Sequence, residues 1–147
     1  MDSVGRAFER QLHEWLGLCV LGLGVLRLLW RMLDKRPEQA AGPRWMSLLA
    51  TGVQAALYLL LFAVPLTAVA GAWLEGHPLT LLGGLKVLSP IATLHDTGAL
   101  VAEVHTWLGD AILWLAGLHA AAALLHHFLL KDQVLVAMLP RWLSKGR

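Results

Sequence analysis

The stretch GALVAEVHTWLGDAILWLAGLHAAAALLHHFLL, residues 98–130, decides how the chain is read. Its only charged residues are Glu103 and Asp110, and about 20 consecutive, mostly apolar residues suffice to cross the hydrocarbon of a bilayer. Working outward, Leu12 to Leu33 and Trp45 to Leu74 meet the same criterion. Hydrophobic residues make up 57% of the 147 positions and charged ones 15%, far from the mix of a soluble domain. The expected fold is an all-α integral membrane bundle in one domain, 1–147, with transmembrane helices at about 12–33, 45–74 and 98–130.

Punctuation agrees with this division. Between the first two helices, Asp34 to Pro43 contains Pro37, Gly42 and Pro43, which end one helix and open the next. The longer segment 75–97 carries Gly76, Pro78, Gly83, Gly84 and Pro90 among short apolar patches, so it reads as a packed loop, with His77 and His95 as loop residues. Pro65 falls inside the second helix, where a kink is expected and neighbours must satisfy the freed carbonyl. A single cysteine, Cys19, excludes internal disulfides and cysteine-clamped iron–sulfur sites. Residues 1–11 lack the basic bias and small-residue cleavage site of a secretory signal.

The charges set a topology. Arg27, Arg31, Lys35, Arg36 and Arg44 bracket the first connection, and Lys131, Arg141, Lys145 and Arg147 follow the third helix, nine of the twelve Lys and Arg. Acids Asp2, Glu9, Glu14, Glu75, Asp96, Glu103 and Asp110 lie toward the other face. The positive-inside rule then makes the first connection and carboxyl terminus cytoplasmic and the amino terminus external. Topology accounts for the basic residues better than nucleic acid does, and no nucleic-acid partner is expected.

An ionisable side chain within hydrocarbon is costly, which singles out the histidines. His13 lies near the outer end of the first helix and His105 near the outer end of the third, so antiparallel helices bring them to similar depth. Their surroundings repeat as His13-Glu-Trp-Leu-Gly17 and His105-Thr-Trp-Leu-Gly109. Four positions on from a helical residue lies the same face, so a flat macrocycle held by the histidine needs a small residue there, and glycine supplies it. Paired imidazoles on facing helices suit both axial positions of a haem iron. His119 is followed at the same offset by Ala123, whereas His126 and His127 are followed by Leu130 and Lys131 and read as interfacial. His105 and His119 are 14 residues apart, nearly four turns, so they share a face. Arg27 stands at the same offset from His13, a cation suited to haem propionates or a quinone head group. The candidate cofactor-binding residues are therefore His13, His105, His119, Arg27, Gly17 and Gly109, with one complete haem b site and a second at His119 that needs another ligand.

With these residues in place the chain resembles the prokaryotic cytochrome b561 family, a relative of hydrogenase cytochrome b subunits. The most specific segment is Gly117-Leu-His119-Ala-Ala-Ala-Ala-Leu-Leu-His126-His127-Phe-Leu-Leu-Lys131-Asp132, followed by Met138-Leu139-Pro140. Arg27-Leu-Leu-Trp-Arg31 and the loop Gly84-Leu-Lys-Val-Leu-Ser-Pro90 support it. The resemblance implies four transmembrane helices and two b haems, with His13 and His105 on the outer haem and His119 on the inner. It also implies single-electron transfer in the bacterial cytoplasmic membrane between an outer-face donor, superoxide among those used, and the quinone pool. The family's first helix, which brings the inner haem its second ligand, has no counterpart here. Either the start is truncated or the inner site is incomplete, and a helical partner or second copy would complete the bundle. Competing readings are a haem-bearing anchor subunit of a dehydrogenase or hydrogenase, and a non-haem transporter using histidines for protons or a divalent metal.

Overall fold

The computed structural model describes residues 3–33, 44–81 and 84–130. The first connection, Gly83 and the segment from Lys131 through Met138-Leu139-Pro140 to Arg147 lie outside the described residues. Three helices of 31 residues each carry the fold: α1, Ser3–Leu33; α2, Arg44–Leu74; and α3, His95–Leu125, which runs on into a π-helical turn, His126–Leu130. All three are long and apolar enough to cross a membrane. Two boundaries differ from the sequence reading. Helix α1 begins at Ser3 rather than near Leu12, because the more polar residues ahead of the apolar run continue the same helix. Helix α3 begins at His95, so His95 is a helical residue and not a loop residue. Gly98, where the apolar run begins, lies inside the helix and serves close packing.

That packing fixes the order of the helices. A Cβ built on Gly98 would stand 2.7 Å from Glu75 Cγ and 2.8 Å from Glu75 N, and one on Gly71 would stand 3.3 Å from Ala102 N. Gly98 and Ala102 are one turn apart, the small-xxx-small arrangement that lets membrane helices bring their backbones together. Helix α2 therefore packs intimately along α3. Its other side meets α1 more sparsely, at a crossing where a Cβ on Gly24 would lie 3.1 Å from Leu61 Cδ2. Among the described residues α1 and α3 have no substantial direct packing, which leaves a cleft between them with α2 at its back. Helix α2 continues through Pro65, which is buried.

The loop between α2 and α3 is tied down at both ends. The Leu94 N–H donates to the carbonyl of Leu74 (2.8 Å), so the chain leaves α2 and returns to the same point before α3 begins. Between them lies a short antiparallel hairpin of β1, Leu79–Thr80, and β2, Lys86–Val87. Gly84, at φ +82°, adopts the left-handed conformation that its turn requires. Strand β1 is buried against α1 and α2, while β2 faces outward. The segment is thus a packed loop, as its punctuation indicates, with the addition of this hairpin. Elsewhere large apolar side chains cover the outside: Trp30, Leu33 and Trp114 are each more than 70% exposed. Such a surface is compatible with lipid and not with water.

Candidate functional site

The cleft between α1 and α3 is where the two H-x-W-L-G segments meet. Antiparallel packing brings His13 and His105 opposite each other, with ring centroids 6.1 Å apart and planes inclined at 78°. An imidazole nitrogen binds a metal at about 2.0 Å. Two such bonds end to end, plus the half-width of each ring, come to about 6 Å. The spacing therefore matches that of two imidazoles on one metal ion.

His105 is oriented from behind by α2. Its Nδ1 lies 2.9 Å from the carbonyl oxygen of Val64 and 3.5 Å from Thr67 Oγ1. A carbonyl can only accept, so Nδ1 carries the hydrogen and donates it, which leaves Nε2 without a hydrogen and with its lone pair available. Thr67 Oγ1 is itself bonded back to the carbonyls of Ala63 (2.8 Å) and Val64 (2.9 Å), holding that turn of α2 in place. An outer hydrogen bond of this kind fixes the tautomer and ring angle of a metal-binding histidine and raises its basicity.

The glycines four positions on are open, as are Gly22, Gly52 and Gly117. A Cβ built on Gly17 or Gly109 meets nothing within 4 Å, so the protein itself does not fill the space beside either histidine. Next to His13, Glu14 reaches the α2–α3 loop: its Oε2 accepts the buried Thr80 N–H at 2.8 Å, and its Oε1 lies 3.7 Å from Arg10 Nε. One carboxylate thus anchors β1 to the turn of α1 that carries His13. Farther out, His77 Nδ1 lies 3.3 Å from Glu75 Oε2 in the loop, away from the cleft.

The remaining candidates are placed elsewhere. His119 is half-buried on α3, and among the described residues no second imidazole faces it. Arg27 is engaged at the α1–α2 seam, where its Nε donates to Tyr58 Oη at 3.3 Å. Arg31 joins it there, with its guanidinium 5.3 Å from the Tyr58 ring centre and Nη2 donating to Gln54 Oε1 at 3.2 Å. Sequence reasoning missed the Val64 carbonyl, Thr67, Glu14 and Tyr58. A backbone carbonyl has no residue-type signal, whereas the nearness of Glu14 to His13 and of Thr67 to Pro65 could have drawn attention to them.

The family model described as prokaryotic cytochrome b561 matches residues 1–141. Cytochrome b561 homolog 2 of Escherichia coli (strain K12) is 34% identical over 133 residues, covering 88% of this chain and 69% of that protein. The probable superoxide oxidase CybB of Yersinia pestis is 29% identical, covering 90% and 75%. Cytochrome b562 of Cereibacter sphaeroides is 32% identical, covering 87% and 66%. With the helical membrane bundle and the facing histidines already in view, these matches make the chain a member of the prokaryotic cytochrome b561 family, a bacterial membrane electron-transfer protein of the haem b type.

Proposed function

We propose that the chain carries single electrons from a donor at the outer membrane face toward the quinone pool, through a haem b held by His13 and His105. The observation that supports this most directly is the 6.1 Å spacing of the two imidazoles across the α1–α3 cleft. Bound there, haem supplies the one-electron couple, and the protein sets its position and potential. His13 and His105 would hold it, each through one ring nitrogen. The Val64 carbonyl holds His105 in the ligating tautomer, and Gly17 and Gly109 leave the macrocycle its space. Glu14 keeps the outer loop docked over the same end of α1.

Superoxide is a donor suited to this arrangement, since it gives up one electron and leaves as dioxygen. The name of the Yersinia pestis relative supports it. A second haem at His119 would extend the path inward, its other ligand coming from a residue beyond those described here or from a partner helix. The nine basic residues around the first connection and after α3 support a cytoplasmic carboxyl terminus and an external amino end for this segment.

The test is the reduced-minus-oxidised absorbance with haem quantified per chain. His13→Ala and His105→Ala are each expected to abolish the paired-imidazole spectrum of the outer site, and His119→Ala to remove only what a second site contributes. Full haem content in both His13→Ala and His105→Ala would refute the assignment.

A further inference from the structure

The inner part of α1 carries two cations that the haem site does not use. Arg27 and Arg31 are one turn apart, within a membrane-spanning helix, and among the described residues neither has a carboxylate within ion-pair distance. A charge at this depth is costly unless something offsets it. These two are also held rather than splayed. Tyr58 accepts from Arg27 Nε and stacks beneath Arg31, and Gln54 accepts from Arg31 Nη2. Among the described residues Arg27's terminal amino groups have no further partner, and the Tyr58 hydroxyl still has its own proton to donate. Several strong donors with two positive charges converge on one place, with no acceptor of matching charge among the described residues.

Directly beside them an almost wholly apolar groove runs along the α1–α2 seam, lined by Leu28, Tyr58, Leu59, Phe62, Ala63 and Leu66. From Tyr58 to Leu66 is about 12 Å of helix rise, directed from the basic end toward the middle of the membrane. A polar, positively charged head site continuous with an apolar channel describes the shape of a single lipid.

We infer that Arg27, Arg31 and Tyr58 form the head-group site of an anionic glycerophospholipid, one acyl chain of which lies in the groove between α1 and α2. Charge selects this occupant. A phosphate diester accepts two parallel hydrogen bonds from a guanidinium and offsets its charge, whereas a neutral quinone head would leave both cations uncompensated. A propionate of a haem at His13 is out of reach, because 14 residues of helix separate His13 from Arg27, about 21 Å of rise; a propionate of a second haem at His119, at Arg27's own depth, is the competing anion, and the haem readout below separates the two. Basic pockets between transmembrane helices are general sites for acidic lipid head groups.

Native mass spectrometry of the full chain in detergent tests this, with added phosphatidylglycerol, phosphatidylcholine or a long-chain ubiquinone as probes. One phosphatidylglycerol is expected to be retained per chain in preference to phosphatidylcholine. Arg27→Gln and Arg31→Gln should each weaken it about tenfold or more, as loss of a charge-assisted hydrogen bond requires. Tyr58→Phe keeps both charges and the fold but releases Arg27, and should weaken retention by a smaller factor. Arg44→Gln removes an equal charge from the start of α2, outside the cluster, and should leave retention unchanged. The inference is overturned if phosphatidylcholine is held as tightly, if Arg44→Gln loses the lipid as readily as Arg27→Gln, or if Arg27→Gln sheds ubiquinone or haem while phosphatidylglycerol binding is unaltered.

Discussion

Replacing Gly109 by leucine sets two effects of opposite sign against each other. In the protein alone, a Cβ at Gly109 meets nothing within 4 Å. Removing a glycine from a helix interior is worth roughly 0.5–1 kcal/mol, so the haem-free variant is expected to be as stable as the parent or slightly more so. With haem held by His105, the new side chain occupies the face one turn on, where the macrocycle lies. Forcing extra atoms into a filled site costs about 1–3 kcal/mol, which corresponds to roughly five- to 150-fold weaker haem affinity. The assay is titration of haem into the purified apoprotein, beside thermal unfolding of that apoprotein followed by circular dichroism. Gly52→Leu is the control, since Gly52 is equally open but stands four residues after Leu48 rather than a histidine. Unchanged haem affinity in Gly109→Leu, or an equal loss in Gly52→Leu, would refute the reasoning, and a destabilised apoprotein would show that the glycine serves helix packing instead.

Two other substitutions probe the frame of the site. Glu14→Ala leaves the buried Thr80 N–H without its acceptor and should cost about 1–3 kcal/mol, seen as a lower unfolding midpoint and faster proteolysis of the outer loop. Glu14→Gln retains an acceptor oxygen and should lose much less, so equal losses would rule out the hydrogen bond as the cause. Gly98→Val puts atoms where the backbone of Glu75 cannot yield, with Glu75 N at 2.8 Å from the first added carbon. It should cost upward of about 1–3 kcal/mol and sharply lower the folded yield in detergent. Gly71→Ala, facing Ala102 N at 3.3 Å, should cost less. A normal yield for Gly98→Val would contradict the α2–α3 crossing.

The sequence was informative wherever the physics is local. A bilayer imposes a length of apolar chain on any helix that crosses it, so three spans and the loop between the second and third were legible from composition alone. Helical period put His13 with Gly17, and His105 with both Gly109 and His119, on common faces, because that geometry depends only on rise and turn. The same local reasoning started the third span at Gly98, where the apolar run begins, whereas the helix starts at His95. An apolar run is read along one segment, and the contact with Glu75 and Leu74 that makes a glycine necessary inside α3 belongs to two helices.

The tertiary structure alone decided which face meets which neighbour. Nothing in the sequence marks the Val64 carbonyl as the group that orients His105 from 41 residues away, since every residue has the same carbonyl. Nor does it pair Glu14 with Thr80 across 66 positions, or Arg27 with Tyr58 across 31. Periodicity assigns a side chain to a face of its own helix, but the partner of that face is set by where small residues allow two backbones to close. Here Gly71, Gly98 and Ala102 draw α2 onto α3, and the cleft that remains beside α1 is where the two histidines meet.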